Sequence, residues 1–513
     1  MFSKVFSAGL QGIEGYPVQV EADVGNGLPG FHMVGYLASE VREAEDRVRA
    51  ALKNSGILMP PRKVTVNLSP ADVRKGGTAF DLPVAVAVLA AYGIGEASVL
   101  KDSAFVGELG LDGQIKPVRG VLSLVSAMGD KGLRRCFLPR ANVPEGLAAG
   151  RIEIVGIHDL KQMIELLSNP GQICKERRPG NDCPKKAAED YPVDFSEING
   201  QGLVRRATEV AVAGRHNILY LGPPGSGKSM VAQRIPTIMP SLSQEEQLEI
   251  SKVYSVCGML PQGRALLGRR PFRSPHHTIS PQAMAGGGRY PKPGEISLAS
   301  RGVLFLDEFP EFKREALEVL RQPLEERKVT VSRINGTCTF PSNVLLAAAM
   351  NPCPCGFYPD RSRCSCNDEQ VRRYLGRISR PLLERIDICV ETAPVSFEDI
   401  RGKQENEASS VIRGRVEQAG EIQRKRFWGS GIFFNSEMGS RQVEQHCRLG
   451  EQEEAFMKRA FQEKHLSARG YHKILRVART IADLDGKGQI GRLHLCEAIA
   501  YRDLEEKYWG KGL

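Results

Sequence analysis

Nowhere in this 513-residue chain does an apolar run approach the ~20 residues of a membrane-spanning helix. The opening residues, MFSKVFSAGLQGIEG, lack both a long apolar stretch and a small-residue cleavage site, so no secretory signal is expected. The expectation is a cytoplasmic protein with no membrane partner. Tryptophan is nearly missing: Trp428 and Trp509 are isolated and are expected to pack locally. Without a secretory signal, the twelve cysteines read as thiols or metal ligands, not as a disulfide framework. Eight of them (Cys136, Cys174, Cys183, Cys257, Cys338, Cys389, Cys447 and Cys496) are scattered and read as buried or incidental. There is no acidic surplus. The balance is 70 basic to 60 acidic residues, net +10, and favours a polyanionic partner through counterion release. The length suits about three domains of ~150 residues, and 41% hydrophobic with 25% charged residues suits a globular chain.

What is present centres on LYLGPPGSGKS, Leu219–Ser229. It fits G-x-x-x-x-G-K-[ST], with Gly222, Gly227, Lys228 and Ser229 at the fixed places and Pro223, Pro224, Gly225 and Ser226 between them. The apolar run from Asn217 to Leu221 reads as a strand, and Met230–Ile235 as a helix. In that context the loop's N–H groups and the helix N-terminus cradle phosphates. Lys228 then reaches the β- and γ-phosphates of ATP, and Ser229 ligates Mg²⁺. A chance glycine-rich turn is the alternative, and the flanking strand and helix argue against it.

The run GVLFLDE, Gly302–Glu308, reads as a buried parallel strand that carries carboxylates to its C-terminal edge. Asp307 suits the Mg²⁺ water shell and Glu308 suits a general base. LLAAAMN, Leu345–Asn351, ends in an amide that fits a sensor of water or γ-phosphate, or a plain strand-terminal Asn. RPLLERID, Arg380–Asp387, sets Arg385 at the end of a short helix, as an arginine finger or an ordinary surface arginine.

The amino-terminal stretch alternates strands and helices. Strands are expected at 16–24, 62–67, 136–139 and 152–157, and helices at 39–56, 80–92, 121–128 and 158–167. A strand pair over 104–118 would turn at Asp112-Gly113. The segments VNLSPADVRKGGTAFDLPVAVAVLAA, GELGLDGQIKPVRGVL and CFLP resemble the Lon-protease-like domain. Ala79 and Leu122 stand nearest the places where active members of that family carry serine and lysine, so a non-proteolytic module is implied. Residues 171–194 read as a Pro-, Gly- and charge-rich linker. Residues 396–513 read as helical, with the basic run Val411–Phe427 either a solvated face or a DNA contact.

The phosphate loop, DE strand and Asn-ended strand, in this order, resemble the AAA+ ATPases. The words PFRSPHHTIS, GGGRYPKPGEISLASRGVLFLDEFPEF, AAMNPCPCGF and SARGYHKILRVARTIADL, joined to the Lon-like segment, are similar to the YifB family of magnesium-chelatase-like ATPases. The resemblance implies an α/β chain with a Lon-protease-like, non-proteolytic domain (1–170), the linker (171–194), an AAA+ P-loop ATPase core (195–395) and a helical lid domain (396–513). It implies a hexameric motor that uses ATP and Mg²⁺ to branch-migrate single-stranded, double-stranded or branched DNA as incoming strands are integrated by homologous recombination in natural transformation. A chelatase-like motor that remodels a protein partner for metal insertion is the rival. By the resemblance Asn351 is the first sensor, Arg385 the finger, and Arg476 the second sensor, with Arg469 its competitor. Where the family more often has G-P-L-L-D-R, this chain has Arg380 and Glu384 in place of the Gly and Asp.

Two segments suggest how force reaches DNA. Lys328–Arg333 and Thr337–Phe340 flank Asn335-Gly336 as a hairpin, where related motors place a pore loop, with Arg333 near its tip. A purely structural hairpin is the alternative. The 269–292 insert offers Arg273, Arg289 and a Gly286–Gly288 run as a backbone track, and its His276 and His277 have no evident partner for metal. Finally, Cys353, Cys355, Cys364 and Cys366 form C-x-C-x₈-C-x-C, a set for one structural Zn²⁺, for free thiols or for a redox pair.

Overall fold

The structure, a computed structural model, describes residues 1–176, 191–261, 265–288, 290–333, 336–394 and 406–510. Contacts divide the chain into two compact units, residues 1–188 with 243–268, and residues 189–242 with 269–513. Among the described residues no helix is long and apolar enough to cross a membrane.

The first unit is built on a seven-stranded mixed sheet. Its order is Gly30–Val34, Lys63–Ser69, Glu14–Gly25, Phe2–Gln11, Ser103–Phe105, Arg135–Pro139 and Glu153–Ile157. The two long central strands pair antiparallel from Phe2 opposite Asp23 to Gln11 opposite Glu14. Alternation of buried and exposed residues in Lys63–Ser69 follows from its period-two sequence. The helix Asp81–Ala91 is apolar nearly all round and buried at ten of its positions, as a central helix must be. The expected hairpin at Asp112-Gly113 exists but joins only Glu108–Leu109 to Ile115–Lys116, because Ser103–Phe105 is drawn into the main sheet instead. The single helix expected over 39–56 is two, Ser39–Arg42 and Ala44–Asn54, broken at Glu43.

A helix from beyond the phosphate loop completes this unit. Gln244–Cys257 starts with a Ser243/Glu246 capping box and lies on the helix Val121–Asp130. Lys252 pairs with Glu14 at 3.4 Å, and the Ser255 hydroxyl donates to Glu145.

The second unit holds a five-stranded parallel sheet ordered Phe272–Arg273, Val303–Leu306, Leu345–Met350, Ile218–Leu221 and Ile388–Glu391. The three central strands are buried at every position, which is why their sequences run apolar without alternation. The helices Ser409–Arg426 and Ala468–Leu484 pack on the helix Gly202–Gly214, and Arg492–Trp509 packs on the edge strand Ile388–Glu391. Ile412, Val416, Ile474 and Leu495 share one apolar cluster with Ile218 and Val390 of the sheet. Of the stretch expected to be helical from residue 396 on, residues 396–405 lie outside the described residues.

Local packing of the tryptophans divides. Trp509 donates through Nε1 to Leu375 O at 3.2 Å. Trp428 does not pack: it is 91% exposed, because the preceding Phe427 takes the buried slot against His446, and Gly429 and Gly431 at positive φ turn the chain outward. Among the scattered cysteines, Cys136, Cys338, Cys389 and Cys447 are buried, Cys257 is half-buried, and Cys174 and Cys496 are exposed. Cys183 lies outside the described residues.

Candidate active site

The phosphate loop leaves the strand Ile218–Leu221 at the carboxyl edge of the parallel sheet and enters the helix Lys228–Ile238. Gly222 is wedged against Thr392, whose Oγ1 would lie 2.1 Å from any Cβ there, so only glycine lets the chain turn at this point. Gly225 (φ 75°) and Gly227 (φ 84°) carry the left-handed backbone that curls the loop. Pro223 and Pro224 span its outer rim, and Ser226 is buried, its hydroxyl hydrogen-bonded to Pro223 O at 2.8 Å and to Thr392 Oγ1 at 2.6 Å. Thr392 therefore braces the loop. Sequence reading missed it, because it lies 170 residues away in the chain and gains this role only through the parallel pairing of Ile388–Glu391 beside Ile218–Leu221.

Inside the loop, Lys228 Nζ donates to Gly222 O (2.7 Å), Pro223 O (2.8 Å) and Asn351 Oδ1 (3.2 Å). Burial pulls its ammonium down to a pKa of about 8, against the opposing attraction of Asp307. Ser229 Oγ donates to Asp307 Oδ2 at 2.6 Å, and Asp307 Oδ1 accepts from Glu308 N at 2.9 Å. Lys228, Ser229, Asp307 and Asn351 thus converge at one sheet edge.

Glu308 stands beside them on strained backbone, at φ 51°, with its side chain 63% exposed. It has a partner that the sequence did not announce. His277 Nδ1 lies 3.2 Å from Glu308 Oε2, while the His276 ring lies tilted against His277 at 4.1 Å and bonds Thr278 Oγ1 at 2.9 Å. The strand Phe272–Arg273 lies parallel beside Val303–Leu304, which carries the following His-His pair to the acid.

The comparisons fit this geometry. Residues 194–400 match the family described as magnesium chelatase, subunit ChlI; residues 20–142 match subunit ChlI of Mg-chelatase, and residues 406–502 its ChlI C-terminal family. Over 507 residues the chain is 39% identical to competence protein ComM of Haemophilus influenzae, covering 97% of each. Over 509 residues it is 39% identical to the uncharacterized protein YifB of Escherichia coli, covering 98% of this chain and 97% of that one. The chain belongs to the YifB/ComM family of magnesium-chelatase-like proteins. That family implies an ATPase using ATP and Mg²⁺. A shorter likeness, 28% over 142 residues, is to Lon protease of Mycolicibacterium smegmatis and covers 26% of this chain and 18% of that protein. At the two positions named for Lon-type chemistry, Ala79 accepts a backbone bond from Gly107 N (3.0 Å) and Leu122 is fully buried.

In this YifB/ComM-family chain the expected arginines lie away from the phosphate loop. Arg385 and Arg476 line a cavity of about 400 Å³ with Arg469, Lys473, Arg327 and Glu437. The cavity adjoins the amino ends of the strands: Asn217, just before Ile218, donates to Arg385 O at 2.8 Å, and Lys473 donates to Ile386 O at 2.8 Å. The phosphate loop leaves the other end of that four-residue strand, roughly 13 Å away at ~3.3 Å per residue. Arg385 is held by Glu325 (2.6 Å) and Arg321 O (3.1 Å). Arg476 donates to Ser436 O at 3.2 Å, its buried Nε has no partner among the described residues, and Arg469 pairs with Glu384 at 2.9 Å. At the floor of this edge Asp387 is buried, which alone would raise its pKa, but Lys473 and His216 hold it well below the usual carboxylate range.

The DNA candidates are placed unevenly. Arg273 makes a two-armed pair with Glu295 (2.6 and 2.7 Å) and does not stand clear as a phosphate contact. Arg333 is exposed at the end of the first strand of the Lys328–Arg333/Gly336–Pro341 hairpin, beside Gly287 of the insert. Arg289 and the hairpin residues 334–335 lie outside the described residues. In the basic helix, Arg413, Arg415 and Arg426 are engaged by Thr237 O, Glu209 and Asp483, which leaves Arg424 and Lys425 exposed.

The four clustered cysteines meet. Their Sγ atoms all lie within 4.8 Å of one another, with Cys353 and Cys366 buried. Burial opposes ionisation of Cys355, yet hydrogen bonds from Phe357 N–H and the Cys353 thiol bring it down to about 6. Such a donor set suits Zn²⁺.

Proposed function

We propose that this chain is a ring-forming AAA+ ATPase that drives branch migration of DNA as incoming single strands are integrated during natural transformation. The observation that carries the ring is the split between the two sheet edges. Lys228, Ser229, Asp307 and Asn351 gather at the carboxyl edge, whereas Arg385 and Arg476 line a cavity at the amino edge. An arginine so placed serves a phosphate on a neighbouring copy better than one on its own chain.

In this reading Gly222 to Ser229 cradle the triphosphate, Ser229 and Asp307 hold Mg²⁺ and its water shell, and Glu308 takes the proton of the attacking water. Mg²⁺ supplies charge neutralisation at the β- and γ-phosphates. Asn351 senses the γ-phosphate beside Lys228, Arg385 is the finger after release from Glu325, and Arg476, with Arg469 as rival, is the second sensor. Residues 1–170 form a non-proteolytic Lon-like module, 171–194 a linker, 195–395 the ATPase core and 396–513 the lid, with Zn²⁺ on the four cysteines. DNA as the load is supported by the net charge of +10 and by the competence role in the name of a 39% identical relative. Arg333 and the insert that holds Arg273 and Arg289 are the contact candidates, and a cytoplasmic hexamer is the assembly.

The test is strand exchange on a labelled three-stranded junction with ATP and with a non-hydrolysable analogue, together with ATPase rate at low salt. Branch migration only with ATP, and a DNA-stimulated rate, support the motor; no stimulation by single-stranded or forked DNA overturns it. The magnesium chelatase description of all three matched families favours a second reading, a motor that remodels a protein partner for metal insertion, which predicts an ATPase indifferent to DNA.

A further inference from the structure

The cysteine cluster touches the nucleotide loop. Cys353 Sγ lies 3.3 Å from Cys355 Sγ and 3.7 Å from Cys364 Sγ, and Cys355 and Cys364 are 3.5 Å apart. Four sulfurs at ~2.3 Å from one tetrahedral ion stand roughly 3.8 Å from each other, so the spacing is that of a metal tetrad, well beyond the ~2.05 Å of a disulfide. The backbone N–H groups of Gly356 (3.2 Å) and Tyr358 (3.4 Å) point at Cys353 Sγ, as they do towards a ligating thiolate.

Two contacts tie this knot to the phosphate loop. Gly356 is buried at φ 89° directly against the ring of Pro224, and a Cβ there would sit 2.4 Å from Pro224 Cδ and 2.9 Å from Cγ. Two residues before Cys353, Asn351 accepts the Lys228 ammonium. On its far side the knot is anchored by the Tyr358 ring against Tyr508, 6.1 Å between centroids, and Tyr508 bonds Glu391 at 2.8 Å. A segment rich in turns, with little regular structure of its own, is thus fixed at both flanks and pressed on the rim of the nucleotide site.

We propose that one Zn²⁺ held by Cys353, Cys355, Cys364 and Cys366 acts as a strut for the phosphate loop, so that nucleotide affinity depends on metal occupancy and on the Gly356–Pro224 contact. This rests on the zinc and ATP readings given above, and it adds the mechanical link between them. Without the metal the sulfurs no longer hold the 353–366 segment in one conformation, Pro224 loses its backing, and the loop spends less time in its binding form.

The experiment uses the full chain, with zinc content by atomic emission and affinity for a fluorescent ATP analogue measured on the same samples. The intact protein should hold about one zinc per chain. Cys355→Ser should lose zinc and bind the analogue about tenfold more weakly. Gly356→Ala should keep its zinc and its circular dichroism spectrum yet bind the analogue about five- to tenfold more weakly. This second variant keeps the test decisive if Cys355→Ser does not fold. Less than about 0.2 zinc per chain in the intact protein sinks the metal strut. Affinity unchanged, within about twofold, both in zinc-replete Gly356→Ala and in the wild-type protein once a thiol-reactive mercurial has stripped its zinc, overturns the link but leaves the metal site standing. Failure of the intact, zinc-loaded protein to bind the analogue at all counts against the ATPase reading itself.

Discussion

His277 Nδ1 and Glu308 Oε2 lie 3.2 Å apart, and Glu308 is one of six non-glycine residues at positive φ among the described residues. The acid is therefore aimed by an imidazole from a neighbouring strand end as well as by its own strained backbone. If Glu308 is the general base, His277→Ala should lower kcat about tenfold while the ATP analogue binds within about twofold of wild type. Glu308→Gln should abolish turnover and retain binding. On whatever residual single-turnover rate that variant keeps, His277→Ala should have no further effect, and a double-mutant cycle showing two independent losses would separate the histidine from the acid.

Lys228 supplies a pH dependence whose sign follows from its burial. The free protein gives up this proton as pH passes about 8, below the ordinary lysine value of 10.5, and a bound triphosphate favours the charged form. ATP affinity should therefore fall as pH rises above about 8, and binding at about pH 8.5 should take up a fraction of a proton. Calorimetry in two buffers of different ionisation enthalpy reads this directly, and zero uptake would refute it. For the nucleotide-free protein the unfolded chain binds more protons across the same window, so stability should rise with pH between about 8 and 10.5 and lose that slope in Lys228→Met.

The placement of Arg385 predicts complementation. Neither Arg385→Ala nor Lys228→Ala should hydrolyse ATP alone. Mixed together, the two chains should recover turnover at sites that combine an intact loop from one copy with an intact arginine from the next. Absence of recovery in rings shown by mass to contain both chains argues against action in trans. Because Glu325 holds the guanidinium at 2.6 Å, Glu325→Gln should raise the rate of the otherwise intact ring.

Gly222 and Phe427 also predict changes in stability. At Gly222 an added methyl would meet Thr392 Oγ1 at 2.1 Å and Thr392 O at 2.5 Å, so Gly222→Ala should cost about 2 kcal/mol or more. Phe427 is 3% exposed and Trp428 91% exposed. Phe427→Ala should then cost about 3 kcal/mol and Trp428→Ala less than about 0.5 kcal/mol in urea unfolding.

The three central strands of the parallel sheet and the loop that follows Ile218–Leu221 were readable because burial on both faces leaves an apolar run, and because a phosphate loop needs fixed glycines; the edge strands Phe272–Arg273 and Ile388–Glu391 were not. Asp307 and Asn351 were readable for a related reason: a parallel strand delivers its last residue to the ligand edge whatever the rest of the chain does. What escaped were relations made by strand order. Thr392 meets Ser226, and His277 meets Glu308, only because of which strand lies beside which. The turn at Asp112-Gly113 was readable, but the shortness of its hairpin escaped likewise, since competition from the larger sheet for Ser103–Phe105 is not a local property. The outward turn of Trp428 was decided by its neighbour, with Phe427 filling the one apolar slot available.

The excursion from Ser243 to Gly268 has a practical consequence. Its helix packs Leu248 on an apolar cluster of the amino-terminal unit and sets Lys252 and Ser255 against Glu14 and Glu145, although all three residues follow the phosphate loop in the chain. A chain cut near residue 190 would keep the whole parallel sheet but strip this helix of the surface that covers those side chains, and would be expected to aggregate. Replacing 243–268 by a short polar bridge should rescue its solubility. The two units are thus laced by their own backbone, and neither can be lifted out at a single cut.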